Sequence, residues 1–107
     1  MNIFLWIIAA KAGISLCEGK ETVCIIPAVI SEEEFKEYFN KFDTLVIMKA
    51  GKALKWLVPF IERENLTDNV LMCSNVGMQG EYIGKLKNGI STYFTTIIIK
   101  KKGVIYK

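Results

Sequence analysis

Histidine is missing from all 107 residues. That absence removes Ser-His-Asp and Cys-His nucleophilic systems and most zinc sites, so any chemistry here works without an imidazole. Arginine is nearly missing too: Arg63 is the only one among 14 basic residues, and the rest are lysine. Readers of bases and phosphates lean on the arginine fork, so a net charge of +3 points only weakly to nucleic acid. A basic RNA-binding domain, which would show salt-sensitive RNA binding, is therefore a minor reading. The three cysteines, Cys17, Cys24 and Cys73, form no Cys-x-x-Cys. They read as buried free thiols of a reducing, cytoplasmic compartment rather than as a redox pair or metal site. There is no Gly-x-Gly-x-x-Gly and no P-loop, so no phosphate cradle is indicated. Long apolar runs are lacking as well. Residues 3–10 make the most apolar stretch, but a membrane span takes about 20 such residues. A secretory leader would need a basic residue ahead of that run, and Met1-Asn2 supplies none.

What is present fits one globular domain with a moderate core: 51% of the residues are apolar and 23% charged. Residues 2–13 read as a helix that is apolar nearly all round, capped by Asn2 and ended by Gly13. Such a helix needs cover on every side, which suggests a partner, or a missing part of the chain, against the N-terminus. Residues 14–20 form a connector. Residues 21–28 read as a first strand, in which Val23, Ile25 and Ile26 are β-branched and Pro27 marks the end. Ser31 and Glu34 form a capping box, with Ile30 and Phe35 placed as a hydrophobic staple. Phe35, Tyr38, Phe39 and Phe42 then predict one aromatic helix face packed on the sheet. Leu45 to Met48 is an unbroken apolar run, the pattern of a strand covered on both faces. Leu54, Leu57, Val58 and Ile61 predict a second helix ending near Asn65, which either starts near Pro59 or kinks there. Residues 70–73, 82–87 and 93–100 read as three more strands. Asn88-Gly89 predicts a hairpin turn between the last two, and Lys100, Lys101 and Lys102 are read as blunting an exposed edge.

The expected architecture is therefore an α/β domain with a mixed five-stranded sheet and flanking helices. Right-handed crossovers make the first three strands parallel. Ligands of such sheets bind beyond the carboxyl ends of the parallel strands. Those ends are Pro27-Ala28, Lys49-Ala50-Gly51 and Ser74-Asn75-Val76-Gly77. The acidic residues lie on the capped helix and near Glu62 and Glu64, as a solvated face does, and no catalytic residue or metal ligand set stands out. Gly51, Gly77 and Gly80 read either as plain turn glycines or as places where backbone approaches a ligand.

Four stretches carry a resemblance. Residues 42–52 (Phe-Asp-Thr-Leu-Val-Ile-Met-Lys-Ala-Gly-Lys) resemble the "DT-hydrophobic-MK-x-G-R/K" segment of the precorrin-2, or cobalt-factor II, C(20)-methyltransferases. Residues 9–16, with Glu18-Gly19, are similar to that family's alanine-rich helix, small-residue turn and "EG" step. Residues 76–81 are similar to its "xGMxxE" loop, and residues 93–100 to its closing "YFS-hydrophobic-K" strand. The matches cover most of the chain in order.

The resemblance implies a two-domain, dimeric tetrapyrrole methylase that binds S-adenosylmethionine (SAM) between its domains, with the corrin precursor over the N-terminal half. It implies that residues 1–20 are a remnant of the interdomain region and residues 21–107 the C-terminal α/β domain. The polar residue expected before the alanine-rich helix would fall near Ile3-Phe4 and is absent, which suggests a truncated or frame-shifted start. Carried over residue by residue, the cofactor-binding positions are Met48, Lys49, Val76, Gly77, Met78 and Thr95. Displacement at a sulfonium is governed mainly by positioning, which suits a chain without histidine. With the facing domain missing, the chain alone is expected to be inactive and to bind SAM weakly or not at all. The alternative is a stand-alone α/β module that dimerises through its N-terminal helix.

Overall fold

The computed structural model describes residues 20–27, 30–87 and 94–102. The expected helix at 2–13, Cys17, the Asn88-Gly89 turn and the last residues from 103 lie outside that set.

Strand β1 (Val23–Ile26) leads to helix α1 (Glu32–Lys41), then strand β2 (Thr44–Ile47). A 3-10 turn (Ala50–Ala53) opens helix α2 (Leu54–Arg63), and a second (Thr67–Asn69) precedes β3 (Val70–Ser74). Strands β4 (Tyr82–Gly84) and β5 (Thr95–Lys100) complete a five-stranded sheet in the order β1-β2-β5-β3-β4. β1 and β2 are parallel, and β5 runs antiparallel to both β2 and β3. β1, β2 and β3 therefore point the same way, as expected. The fold is α/β with a mixed five-stranded sheet.

Local chemistry sets the element ends. The Ser31 hydroxyl accepts the Glu34 N–H at 3.2 Å and donates to the Glu34 carboxylate at 3.3 Å. A cap of this kind supports a helix by about 1 kcal/mol. α2 ends in a Schellman motif: Asn65 takes a left-handed φ of 56°, its N–H reaches the Glu62 carbonyl, and the Leu66 N–H reaches Ile61. Asparagine tolerates that conformation better than other residues with a Cβ. Pro59 lies inside α2 rather than at its start. Pro59 and Lys55 are both exposed, so the carbonyl left without a donor lies on the solvent side of the helix.

The core lies between the two helices and one face of the sheet. Phe35, Phe39, Leu57, Phe60 and Ile61 join Leu45, Ile47, Ile97, Ile99, Val70 and Met72 in one buried cluster. The Phe60 ring meets Phe35 at 5.2 Å and Phe39 at 5.0 Å, edge-on in both cases. The aromatic face of α1 thus locks onto α2 as well as the sheet. Tyr38 does not share in it: it is exposed, because it lies one residue off the stripe that Phe35 and Phe39 define. β2 is buried along its whole length, with Thr44 and Val46 on the face opposite Leu45 and Ile47. The Thr44 hydroxyl is buried with no hydrogen-bond partner among the described residues.

Two expectations at the end of the chain are overturned. β4 and β5 form no hairpin with each other, since β3 lies between them. β5 carries six buried residues, which suits a strand with neighbours on both sides, whereas β4 is short and half-buried, as an edge is. β4 also stops at Gly84, short of Lys87. The Tyr82 hydroxyl folds back onto the Lys85 carbonyl at 2.7 Å. It lies so close over Gly84 that a Cβ there would meet it at 2.9 Å. The terminal lysines do not blunt an edge either. Lys100 is buried, Lys101 donates to the Phe39 carbonyl and lies 4.6 Å from the Phe39 ring centre, and Lys102 pairs with Asp43 at 3.0 Å. They tie the end of a central strand to α1 and β2.

Candidate functional site

The topology brings four chain segments to one end of the sheet. These are the carboxyl ends of β1, β2 and β3 and the amino end of β5. β2 ends in Met48 and Lys49. The Met48 N–H donates to the Ile26 carbonyl at 2.9 Å, which extends the β1–β2 ladder by one bond. Lys49 then turns left-handed (φ 53°) and directs the chain into the 3-10 turn. An apolar strand must leave the sheet here for the helix layer, and one left-handed residue makes that corner. Ala50 and Ala53 are fully buried behind it, and Lys49 and Lys52 are exposed.

The loop after β3 is more constrained. Asn75, Gly77 and Gly80 all have positive φ, at 52°, 78° and 83°. Three hydrogen bonds fix this shape. The Asn75 N–H donates to the Phe94 carbonyl at 2.9 Å, and the Met78 N–H to Asn75 at 2.9 Å. The Gly77 N–H donates to the Glu81 carboxylate at 2.8 Å. A Cβ on Gly77 would meet nothing within 4 Å. Backbone conformation therefore selects glycine there, not crowding. Met78 is 51% exposed and Phe94 55%. Both are large apolar side chains held open at the same end of the sheet.

The six sequence-predicted positions thus come from three separate segments and gather at one end. Met48 and Lys49 follow β2, Val76, Gly77 and Met78 follow β3, and Thr95 opens β5. The β3–β5 register pairs Thr95 with Ser74. The β2–β5 register, continued two residues past Ile47 and Ile97, sets Thr95 level with Lys49. Thr95 is the middle of the group, but its side chain is buried and its hydroxyl lies 3.0 Å from that of Ser74. Pro27, at the end of β1, lies at the far side of this edge.

Three residues here fall within stretches that the sequence had pointed to but were not among the six site positions. Asn75 has a signal, since asparagine is enriched in left-handed turns. Glu81 has a weaker one, four residues after a glycine. Phe94 has none, because its exposure depends on β5 entering the sheet between β2 and β3.

The ionisable groups nearby do not form a catalytic set. Burial and the nearby Glu81 carboxylate push the Cys73 thiol up to about 12, so it stays a neutral, unreactive thiol. Burial also raises Cys24. Both are free thiols. Among the described residues no group of three or more His, Cys, Asp or Glu is placed to hold a metal ion. No described helix is long and apolar enough to cross a membrane.

The described residues form a mixed sheet whose open end is lined by loops set by left-handed residues. The sequence matches the Tetrapyrrole (Corrin/Porphyrin) Methylases over residues 7–88, so the chain belongs to that family. It is 28% identical over 97 residues to the probable cobalt-precorrin-2 C(20)-methyltransferase of Methanocaldococcus jannaschii. That alignment takes in 87% of this chain and 41% of the relative. The chain spans about two-fifths of the length of the curated relative it matches.

Proposed function

We propose that this chain forms one wall of a SAM cleft in a C-methyltransferase of corrin biosynthesis that acts on precorrin-2 or cobalt-factor II. In this reading residues 21–107 are the C-terminal domain of that enzyme and the facing wall belongs to an N-terminal domain. The observation that carries it is the convergence of Met48-Lys49, Val76-Gly77-Met78 and Thr95 at one end of the sheet. Family membership and the printed name of the archaeal relative support the choice of substrate class.

The residues present suit one side of such a ligand. Open space at Gly77 and the half-exposed Met78 thioether make a surface for a flat ring to lie against. The N–H groups of Asn75, Gly77 and Met78 are already committed within the loop. At those three positions the loop is left with carbonyl acceptors and side chains to offer. SAM, when bound, supplies the methyl group. The part of this chain is to hold the ligand and exclude water from one side, which is how positioning lowers a displacement barrier. It contributes no general acid or base.

A single wall leaves half of the ligand in water, so the chain alone binds SAM no tighter than the millimolar range and transfers no methyl group. Self-association into a dimer belongs to the same proposal. Titration calorimetry of SAM into this chain tests the first point, and tight binding would overturn the one-wall reading. Sedimentation velocity tests the second, and a monomer at all concentrations would remove the dimer.

A further inference from the structure

We infer that Glu81 is a positioning residue: its carboxylate, accepting the Gly77 N–H, latches the loop at 75–80 in the shape that holds Met78 open at the end of the sheet. Three left-handed residues within six positions cannot hold themselves. At Asn75 that conformation is sparsely populated and persists only when surrounding contacts over-determine it; Gly77 and Gly80 adopt it without strain, but their wide backbone freedom means that contacts must select it. Two of these bonds are neutral backbone pairs, from Asn75 to Phe94 and from Met78 to Asn75. The third is charge-assisted and short, at 2.8 Å, and such bonds are roughly twice as strong as neutral ones. It also closes the loop across its base, since Glu81 immediately precedes β4. The loop is exposed from Gly77 to Glu81 and has no packed core of its own to keep it shaped. The Met78–Asn75 backbone bond also holds the turn, but a Cβ at Gly77 would meet no neighbour within 4 Å and about half of Met78 is in solvent.

The role differs from that of a structural carboxylate elsewhere in the chain, such as Asp43. The sheet does not depend on it, because β3 is held by both β5 and β4. Loss of the latch frees the loop and leaves the fold. What depends on it is the presentation of Val76, Gly77 and Met78, so its bearing on cofactor binding rests on the proposed SAM wall. The latch itself is a property of the chain without ligand and is measured there.

The test is amide hydrogen exchange at Gly77, read by NMR together with the Met78 methyl resonance, in the unliganded chain. Glu81→Ala should speed exchange at Gly77 by about tenfold or more, the loss expected for a hydrogen bond to a charged group, and move the Met78 methyl. Glu81→Gln keeps an acceptor at the same place and should restore most of the protection. The urea midpoint should stay within error in both variants. Equal exchange at Gly77 in all three proteins, or loss of protection spread across β3 and β5, would overturn the latch. Neither result depends on whether SAM binds.

Discussion

The two ends of this sheet are built on different rules. At the end where β2 begins, polar groups are spent on one another. Asp43 accepts from the Thr22 N–H at 3.0 Å and pairs with Lys102 at 3.0 Å. Asn69, buried, donates to the Lys100 carbonyl at 2.9 Å. α2 closes there on Asn65 in its Schellman motif. At the other end, left-handed residues hold apolar side chains in water, and the Glu81 carboxylate closes a loop. The first end stabilises; the second keeps a surface available. A region that must meet a ligand is drawn from the less stable parts of a fold, and the contrast is a ground, independent of any relative, for proposing the open end as the site.

If that contrast is real, substitutions at the two ends should differ. The largest effect should come from Asn69→Ala, which removes the buried hydrogen bond to the Lys100 carbonyl. It should lower unfolding free energy by roughly 1–3 kcal/mol, measured by urea denaturation. Next comes a matched pair at left-handed positions. Asn65→Ala should cost about 1 kcal/mol. Gly77→Ala imposes similar strain on a loop free to rearrange, so less of it should reach the global midpoint. Equal losses at the two sites would break the comparison.

A smaller effect is set by pH. The Thr22 N–H, then the Lys102 side chain, hold the Asp43 carboxyl below its usual range. A depressed folded-state value stabilises fully above the unfolded-state value of about 3.9. That contribution disappears as pH falls through the lower folded-state value. Asp43→Asn should therefore flatten the acid loss of stability below about pH 4 and leave the high-pH slope unchanged. The smallest effects belong to the open end, where Met78→Ala and Phe94→Ser should each stay within about 0.5 kcal/mol.

Much of this was legible in the sequence because it rests on local pattern. The unbroken run at Leu45 to Met48 announced a doubly covered strand, and Ser31 with Glu34 announced a helix start. The face of α2 followed from Leu57, Val58 and Ile61. The errors came from what pattern does not encode. An Asn-Gly pair between two β-branched stretches suggests a hairpin, yet pairing is decided by which strand can bury both faces. β5, with Thr96 and three isoleucines, takes the centre, and Tyr82-Ile83-Gly84 takes the edge. Once β5 is central, its trailing lysines become ties to Asp43 and Phe39 rather than an edge guard. The same insertion brings Thr95 between the β2 and β3 loops and leaves Phe94 exposed, which no local signal at Phe94 could show. The six site positions came from family resemblance. Physical reading alone had reached only the strand ends, on which three of them, Lys49, Val76 and Gly77, lie.

The most direct test of the cleft wall uses the methionine methyl groups. With S-adenosylhomocysteine at millimolar concentration, the NMR signals of Met48 and Met78, at the open end, should shift together. Met72, fully buried between the two ends, should stay in place and serves as the internal control. Weak, saturable shifts confined to Met48 and Met78 are the predicted result. No shift at either residue, or shifts centred on Asp43 and Asn69 at the opposite end of the sheet, would contradict it.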